Sequence, residues 1–117
     1  MSAETEITPQ RAAELLDEGA QALDVREDYE WDAGHLAGAK HVELTQLSSA
    51  AAEIDQARPV VVYCRVGERS GLAAEALRAA GFDAYNLAGG LAAWSADGRP
   101  LEPETGTVVE RRPGAVT

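Results

Sequence analysis

Apolar runs and stretches of helical spacing alternate along this chain. The clearest apolar run, Val60–Tyr63, follows Pro59 directly and consists of β-branched and aromatic residues with no polar residue between them. Such a run predicts a strand that is buried on both faces, as in a parallel sheet. Weaker runs predict three further strands, over residues 22–25, 39–44 and 82–87.

Helical patterns separate these runs. Thr8 can cap a helix over residues 11–18, because Pro9 stands where a missing N–H is tolerated, and Gly19 ends the helix. Residues 70–80 place their apolar side chains on one helical face. That face consists of Leu72, Ala73, Ala76, Leu77 and Ala80. A loop or short helix is predicted over residues 29–34, and further helices over 45–55 and 91–96.

The alternation of strands and helices predicts the fold class. It is typical of an α/β sandwich with a mostly parallel sheet. After Pro100 the composition changes to glutamate, proline, glycine, threonine and arginine, without a core-forming pattern. We therefore predict one domain over residues 1–100 and a flexible polar tail over residues 101–117.

Composition and charge narrow the functions open to this domain. The chain has 117 residues, a net charge of −10 and a single cysteine. An acidic protein is a poor partner for nucleic acids and anionic membranes, so we expect neither. The N-terminus lacks the basic and apolar segments of a secretory signal, which favours a cytoplasmic protein. One cysteine and two histidines are too few for a structural zinc site, so we expect no metal. We also expect a monomer.

The single cysteine, Cys64, lies where the central strand ends and a helix is about to begin. Ligands bind at this edge of parallel sheets, and a short loop that enters a helix exposes unpaired N–H groups to an anion. Gly67 allows a tight turn, and the resulting donors favour the nucleophilic thiolate. The alternative is an unreactive buried cysteine beside a charged loop. The predicted anion-binding loop consists of Arg65, Val66, Gly67, Glu68, Arg69 and Ser70.

Two further motifs flank this loop. The segment "LDVREDYEWDAGHLAGA" over residues 23–39 contains Asp-x-Arg, an acidic and an aromatic residue, and Gly-His-x-x-Gly-Ala. The segment "GFDAYNLAGGLAAW" over residues 81–94 combines a strand with Gly-Gly and tryptophan. With "CRVGERS" between them, these motifs resemble the signatures of the rhodanese sulfurtransferases over residues 5–100. Ala37 departs from the family pattern, in which proline is common at this position.

The resemblance implies a fold and a reaction. The fold is a three-layer sandwich with a mostly parallel sheet of about five strands and helices on both faces. In the reaction, the Cys64 thiolate attacks the outer sulfur of a small anionic donor such as thiosulfate and releases sulfite. The resulting persulfide passes its sulfur to cyanide, a thiol or a partner protein. No metal and no organic cofactor is implied.

The loop residues are expected to differ in role. Arg69 is expected to bind the donor anion or to shape the loop, because a cation at a helix N-terminus is otherwise unfavourable. Arg65 either assists or lies on the surface. Glu68 is expected to point outward, since its charge opposes anion binding. Ser70 is expected to cap the helix and to be within hydrogen-bonding reach of the sulfur.

Three residues outside the loop are candidates for structural support of the site. Asp24 and Arg26 lie at the end of a strand parallel to the Cys64 strand, so we expect a pair that braces the loops. His35 is expected to bond to nearby backbone or to Asp24 rather than to act as a base, since a preformed thiolate needs no proton abstraction.

Two other functions remain compatible with the sequence. Phosphatases and arsenate reductases of the related cell-cycle phosphatase type share the fold but use a longer loop, Cys-x5-Arg. Here residues 65–68, four in number, separate Cys64 from Arg69, and Ser70 follows. The second alternative is a non-enzymatic binding module or a persulfide carrier with a protein acceptor.

Overall fold

Five strands form one sheet in the computed structural model of this chain, which describes residues 5–111. They are β1 (Glu6–Ile7), β2 (Gln21–Asp24), β3 (Lys40–His41), β4 (Val60–Tyr63) and β5 (Ala84–Leu87). The strand order is β1-β5-β4-β2-β3, and each neighbouring pair is parallel. β4 therefore lies in the centre of the sheet, with β5 on one side and β2 on the other.

Helices cover both faces of this sheet. They are α1 (Pro9–Asp17), α2 (Asp28–Ala33), α3 (Leu47–Ala50), α4 (Glu68–Ala79) and α5 (Gly90–Ala96). Buried residues of α1 and α5 belong to one core cluster, and buried residues of α3 and α4 belong to a second. This arrangement confirms the predicted three-layer α/β sandwich. No helix in residues 5–111 is both long enough and apolar enough to cross a membrane.

The burial of the central strand on both faces explains its apolar sequence. Every residue of Val60–Tyr63 has no exposed surface. Val62 packs in the cluster that contains Leu77 of α4, whereas Val61 packs in the cluster that contains Leu91 of α5. Because both faces of the strand are covered by helices, apolar residues occupy both, and no alternation is seen.

The N-cap and the terminating glycine of the first helix are those that the sequence predicts, although the helix covers Pro9–Asp17 rather than residues 11–18. Pro9 is its first residue, and the Thr8 hydroxyl oxygen accepts a hydrogen bond of 3.1 Å from the Arg11 N–H. Gly19 follows the helix with a φ of +111°, in the left-handed region that glycine adopts readily.

Helix α4 differs from the prediction in its start and in its buried face. It begins at Glu68 rather than at Ser70, because Gly67 already turns the chain into the helix. Leu72 was predicted to face the core but is 63% exposed, and Ala76 and Ala80 are exposed as well. Alanine lies on both faces of this helix, so apolar spacing did not identify the core face. The buried residues are Arg69, Ser70, Ala73, Ala74 and Leu77.

The short elements at the sheet edges were predicted least well. The sequence predicts no strand at β1, since two residues that include an exposed glutamate form no apolar run. The predicted strand over 39–44 is reduced to Lys40–His41, and the predicted helix over 45–55 divides into α3 and two flanking 3-10 turns. Such short pieces are fixed by packing rather than by local propensity.

The first part of the predicted tail, residues 101–111, packs against the domain, which corrects the prediction of a separate tail there. Leu101 and Val108 are partly buried against the cluster that contains α1 and α5. His35 and Glu102 exchange backbone hydrogen bonds of 3.1 and 2.7 Å. Isolated apolar residues and backbone pairing leave no periodic signal in a sequence. The rest of the predicted tail lies outside the described residues.

Candidate active site

The side chain of Cys64 lies at the carboxyl end of β4 and is surrounded by hydrogen-bond donors. The backbone nitrogens of Gly67 and Ser70 lie 3.1 and 3.4 Å from its Sγ atom. The Ser70 hydroxyl oxygen lies 3.3 Å from the same sulfur. Cys64 has no exposed surface. One short turn thus directs two backbone N–H donors at the sulfur, an arrangement that stabilises negative charge.

Gly67 forms the turn that directs these donors. It precedes α4 with a φ of +103°, a left-handed conformation that other residues adopt only with strain. A Cβ atom at this position would meet its nearest neighbours at 3.5 Å, an ordinary contact, so the backbone angle and not the available space requires glycine. The first N–H groups of α4 have no partner within the helix, which leaves that of Ser70 available to the sulfur.

The first turn of α5 fixes the start of the loop. The N–H groups of Leu91 and Ala92 donate to the carbonyl oxygens of Cys64 and Arg65, at 2.8 and 2.9 Å. A Cβ atom on Gly90 would lie 2.4 Å from the Arg65 carbonyl oxygen, so α5 can approach the loop this closely only with glycine there. These bonds satisfy the first two carbonyl groups of the loop and set the direction in which the chain leaves β4.

Arg69 forms an ion pair with Glu30 of α2. Its Nη1 and Nη2 atoms lie 2.7 and 2.9 Å from the two carboxylate oxygens, and Glu30 is fully buried. The hydrogen bonds to Glu30 raise the pKa of Arg69. Burial alone would raise the pKa of Glu30, but hydrogen bonds from Arg69 and the Glu27 backbone lower it below its ordinary value. Because Glu30 balances its charge, Arg69 is better suited to shaping the loop than to binding a donor anion.

Asp24 and Arg26 form a second buried ion pair beside the site. Nη2 of Arg26 lies 2.7 Å from Oδ2 of Asp24, and neither residue has exposed surface. The same nitrogen donates to the Gly34 carbonyl oxygen at 2.7 Å. Burial alone would lower the pKa of Arg26, but the hydrogen bond and the charge of Asp24 raise it. The pair therefore links the end of β2 to the segment after α2 and braces the loops around the site.

The remaining loop residues differ in their role in the turn and in their exposure to solvent. Gly67 occupies the N-cap position of α4, so the prediction that Ser70 caps this helix is wrong. Glu68 is exposed, as predicted, and Val66 is also exposed. Arg65 is half-buried and forms no ion pair in the part of the chain that the structure describes.

His35 contacts α2 and not Asp24. Its Nδ1 atom lies 3.0 Å from the Trp31 carbonyl oxygen, and its ring stacks on the Trp31 indole with a centroid distance of 3.5 Å. The carboxylate of Asp24 is instead bound by Arg26. Of the two partners expected for His35, the structure therefore shows the nearby backbone.

Glu30 and Asn86 shape the site but were not singled out from the sequence. Oδ1 of Asn86 lies 2.5 Å from the Ser70 hydroxyl oxygen, and Nδ2 lies 3.0 Å from the Gly67 carbonyl oxygen. A glutamate in a predicted loop is typical of a solvated residue. The one available signal was the polar Asn86 within the otherwise apolar β5, since buried polar residues need specific partners.

Sequence comparisons relate this site to known proteins. The profile of the rhodanese-like domain family matches residues 8–97. The uncharacterized protein YqhL of Bacillus subtilis (strain 168) is 45% identical over 76 residues, which cover 64% of this chain and 60% of that protein. The thiosulfate sulfurtransferase GlpE of Pseudomonas fluorescens (strain SBW25) is 37% identical over 95 residues, which cover 80% of this chain and 87% of that protein.

A solved structure shows the same likeness in three dimensions. The rhodanese-related protein from Thermoplasma volcanium has a TM-score of 0.78 and 26% sequence identity, covering 82% of this chain and 95% of that chain. The matched family segment, residues 8–97, contains Cys64, its loop and the first turn of α5. This chain therefore belongs to the rhodanese-like domain family.

Proposed function

We propose that this chain is a sulfurtransferase that carries sulfur as a persulfide on Cys64. The observation that carries the proposal is the pair of backbone N–H donors from Gly67 and Ser70, both within 3.4 Å of the Cys64 sulfur. Such donors stabilise negative charge on the sulfur and so favour the nucleophilic thiolate. The relative named thiosulfate sulfurtransferase supports thiosulfate as a donor.

The reaction consists of two displacements at sulfur. First, the Cys64 thiolate forms a bond to the outer sulfur of thiosulfate, the S–S bond of thiosulfate breaks, and sulfite leaves with the electron pair. Cys64 is then a persulfide with its negative charge on the terminal sulfur. Second, cyanide attacks that sulfur, the persulfide S–S bond breaks, thiocyanate leaves and the thiolate returns. Charge balances in each step, and neither step needs a metal or an organic cofactor.

An anionic donor needs a nearby cation, and the ion pairs of the site favour Arg65 for this role over Arg69. Arg69 is already balanced by Glu30. Arg65 directly follows Cys64 and forms no ion pair within the described residues. The guanidinium of Arg65, a cation in the loop without a paired carboxylate, would attract thiosulfate locally, although the chain carries a net charge of −10.

Access to the sulfur requires movement of its surroundings, because Cys64 has no exposed surface. We therefore expect the loop to open before a donor reaches the thiolate. Small reagents should then modify Cys64 faster than bulky ones, when each rate is divided by the rate with a free thiol.

The intact mass of the protein after incubation with thiosulfate tests the proposal. The wild type should gain the mass of one sulfur atom and should lose it when cyanide is added, with release of thiocyanate. Cys64→Ser, the matched control, should do neither. Normal thiocyanate production by Cys64→Ser would refute the proposal, whereas a persulfide that cyanide cannot discharge would favour a carrier with a protein acceptor.

The same protein can be tested for phosphatase activity. The loop between Cys64 and Arg69 contains only residues 65–68, so it offers fewer donors to the three oxygens of a phosphoryl group. Each donor aimed at a developing oxyanion contributes about 3 kcal/mol. We expect negligible hydrolysis of p-nitrophenyl phosphate. Hydrolysis that depends on Cys64 would instead assign phosphorus chemistry to the site.

A further inference from the structure

The side chain of Asn86 contacts both residues that donate to the Cys64 sulfur. Its Oδ1 atom lies 2.5 Å from the Ser70 hydroxyl oxygen, and its Nδ2 atom lies 3.0 Å from the Gly67 carbonyl oxygen. The backbone N–H groups of Gly67 and Ser70 in turn point at the sulfur, at 3.1 and 3.4 Å. One amide group from β5 thus connects the two ends of the turn that surrounds the sulfur.

The register of the sheet brings Asn86 to this position. Asn86 pairs with Val62 of the neighbouring β4. Side chains alternate along a strand, so Val62 and Cys64 face the same side of the sheet, and Asn86 faces that side with them. Asn86 is only 3% exposed there. A buried amide on an apolar face is unfavourable unless its hydrogen bonds are made, and in this fold they are made to the loop.

Glu6 determines which way the Asn86 amide faces. Glu6 and Asn86 are partners in the register of β1 and β5, and both Glu6 carboxylate oxygens lie 3.0 Å from Nδ2. A carboxylate and a carbonyl oxygen can only accept hydrogen bonds, so the NH2 group must face Glu6 and Gly67. Oδ1 must then face the Ser70 hydroxyl, which donates its single proton to Oδ1 at 2.5 Å, so that Ser70 donates to the sulfur through its backbone N–H and not through its hydroxyl.

From this network we propose that Asn86, oriented by Glu6, is a positioning residue for the donors around the Cys64 sulfur. Asn86 holds the Gly67 carbonyl oxygen and the Ser70 hydroxyl, so that the backbone N–H groups of both residues stay directed at the sulfur, and it does not touch the sulfur itself. Its importance for turnover rests on the proposed sulfur transfer. Its effect on the sulfur, however, extends to any electrophile that reacts with Cys64.

Exchanging the amide of Asn86 and the carboxylate of Glu6 tests this assignment. Asn86→Asp removes the hydrogens that Glu6 and the Gly67 carbonyl accept, and it adds a second carboxylate beside Glu6. The alkylation rate of Cys64 by iodoacetamide should fall about tenfold, as for one charge-assisted hydrogen bond. Adding Glu6→Gln to this variant removes the second carboxylate and supplies an amide donor from β1, but it does not restore the bond to the Gly67 carbonyl, so it should recover part of the loss. Glu6→Gln alone should react like the wild type, because its amide oxygen still accepts from Asn86.

Controls separate positioning from a general loss of structure. Glu75→Gln removes an exposed carboxylate on α4, away from this network, and should leave the alkylation rate unchanged. A folded double variant that reacts no faster than Asn86→Asp would overturn the inference. If Asn86→Asp does not fold, Glu6→Ala at the exposed end of the network should lower the rate about threefold, and an unchanged rate would overturn the inference. Alkylation needs no thiosulfate, so the result is independent of the sulfurtransferase proposal.

Discussion

Replacing Glu30 by glutamine tests whether the Glu30–Arg69 pair holds α2 against the sulfur loop. The substitution keeps the size and shape of the side chain but removes its charge. It leaves the Arg69 side chain, which is 9% exposed, without a balancing carboxylate. We expect a lower free energy of unfolding, because a buried guanidinium that has lost its hydration is no longer stabilised by a counter-charge.

The geometry of the pair sets the size of the effect. Both guanidinium contacts are short, at 2.7 and 2.9 Å, and the Glu30 side chain has no exposed surface. Removing one partner of a buried pair costs about 3–5 kcal/mol, and the glutamine oxygen still accepts one hydrogen bond, so we expect about 3 kcal/mol. In a domain of this size each kcal/mol lowers Tm by about 4 °C, which gives a decrease of about 12 °C.

Urea unfolding at pH 7 measures this free energy directly. Glu14→Gln is the matched control, because Glu14 also pairs with an arginine, Arg11, at 3.1 Å, but each side chain of that pair is 49% exposed. An exposed pair contributes less than about 0.5 kcal/mol, so the control should unfold like the wild type. If Glu30→Gln also lies within about 0.5 kcal/mol of the wild type, the buried pair does not stabilise the fold and the reasoning is refuted.

Three further predictions follow from the structure. The pKa of Glu30 is below its ordinary value of 4.5. The difference in free energy of unfolding between wild type and Glu30→Gln should therefore be complete above pH 4.5 and should close only as the pH falls through the lowered pKa. Acid unfolding followed by circular dichroism would measure this difference. Gly90→Ala places a Cβ atom 2.4 Å from a loop carbonyl oxygen, whereas Gly98→Ala meets nothing within 4 Å at a similar positive φ. In thermal unfolding Gly90→Ala should therefore cost about 1–3 kcal/mol more, and equal losses would contradict the close approach of α5. Truncation after Pro100 removes the packing of Leu101 and should cost about 2 kcal/mol in urea unfolding, so an unchanged midpoint would show that the residues after Pro100 add no stability.

The features that the sequence predicted well depend on residues that are close to one another along the chain. Val60–Tyr63 specifies a doubly buried strand by its own composition, and Thr8 with Pro9 specifies the start of α1. The alternation of such segments was enough for the α/β class. The position of Cys64 at the carboxyl end of the central strand also followed, because the apolar run ends at the cysteine.

The partners of the site residues were decided by the tertiary structure. Arg69 looked like an anion-binding residue beside the cysteine, yet its partner is Glu30, 39 residues away in the chain. Asn86 reaches Ser70 across 16 residues and Glu6 across 80. Residue types and spacing show where a charge or an amide occurs, but they do not show which distant group comes within hydrogen-bonding distance when the sheet forms.

The buried face of α4 and the packing of residues 101–111 were decided in the same way. The alanines of α4 are compatible with several faces, so the docking of its first turn over the sulfur loop selects the one that is buried. Leu101 and Val108 find apolar neighbours only after α1 and α5 cover the sheet. The sequence alone therefore determined the longer elements and the position of Cys64 at the start of the loop, because periodicity and turn signals are local. Burial and ion pairing depend on distances in space, so they were determined only when the elements packed.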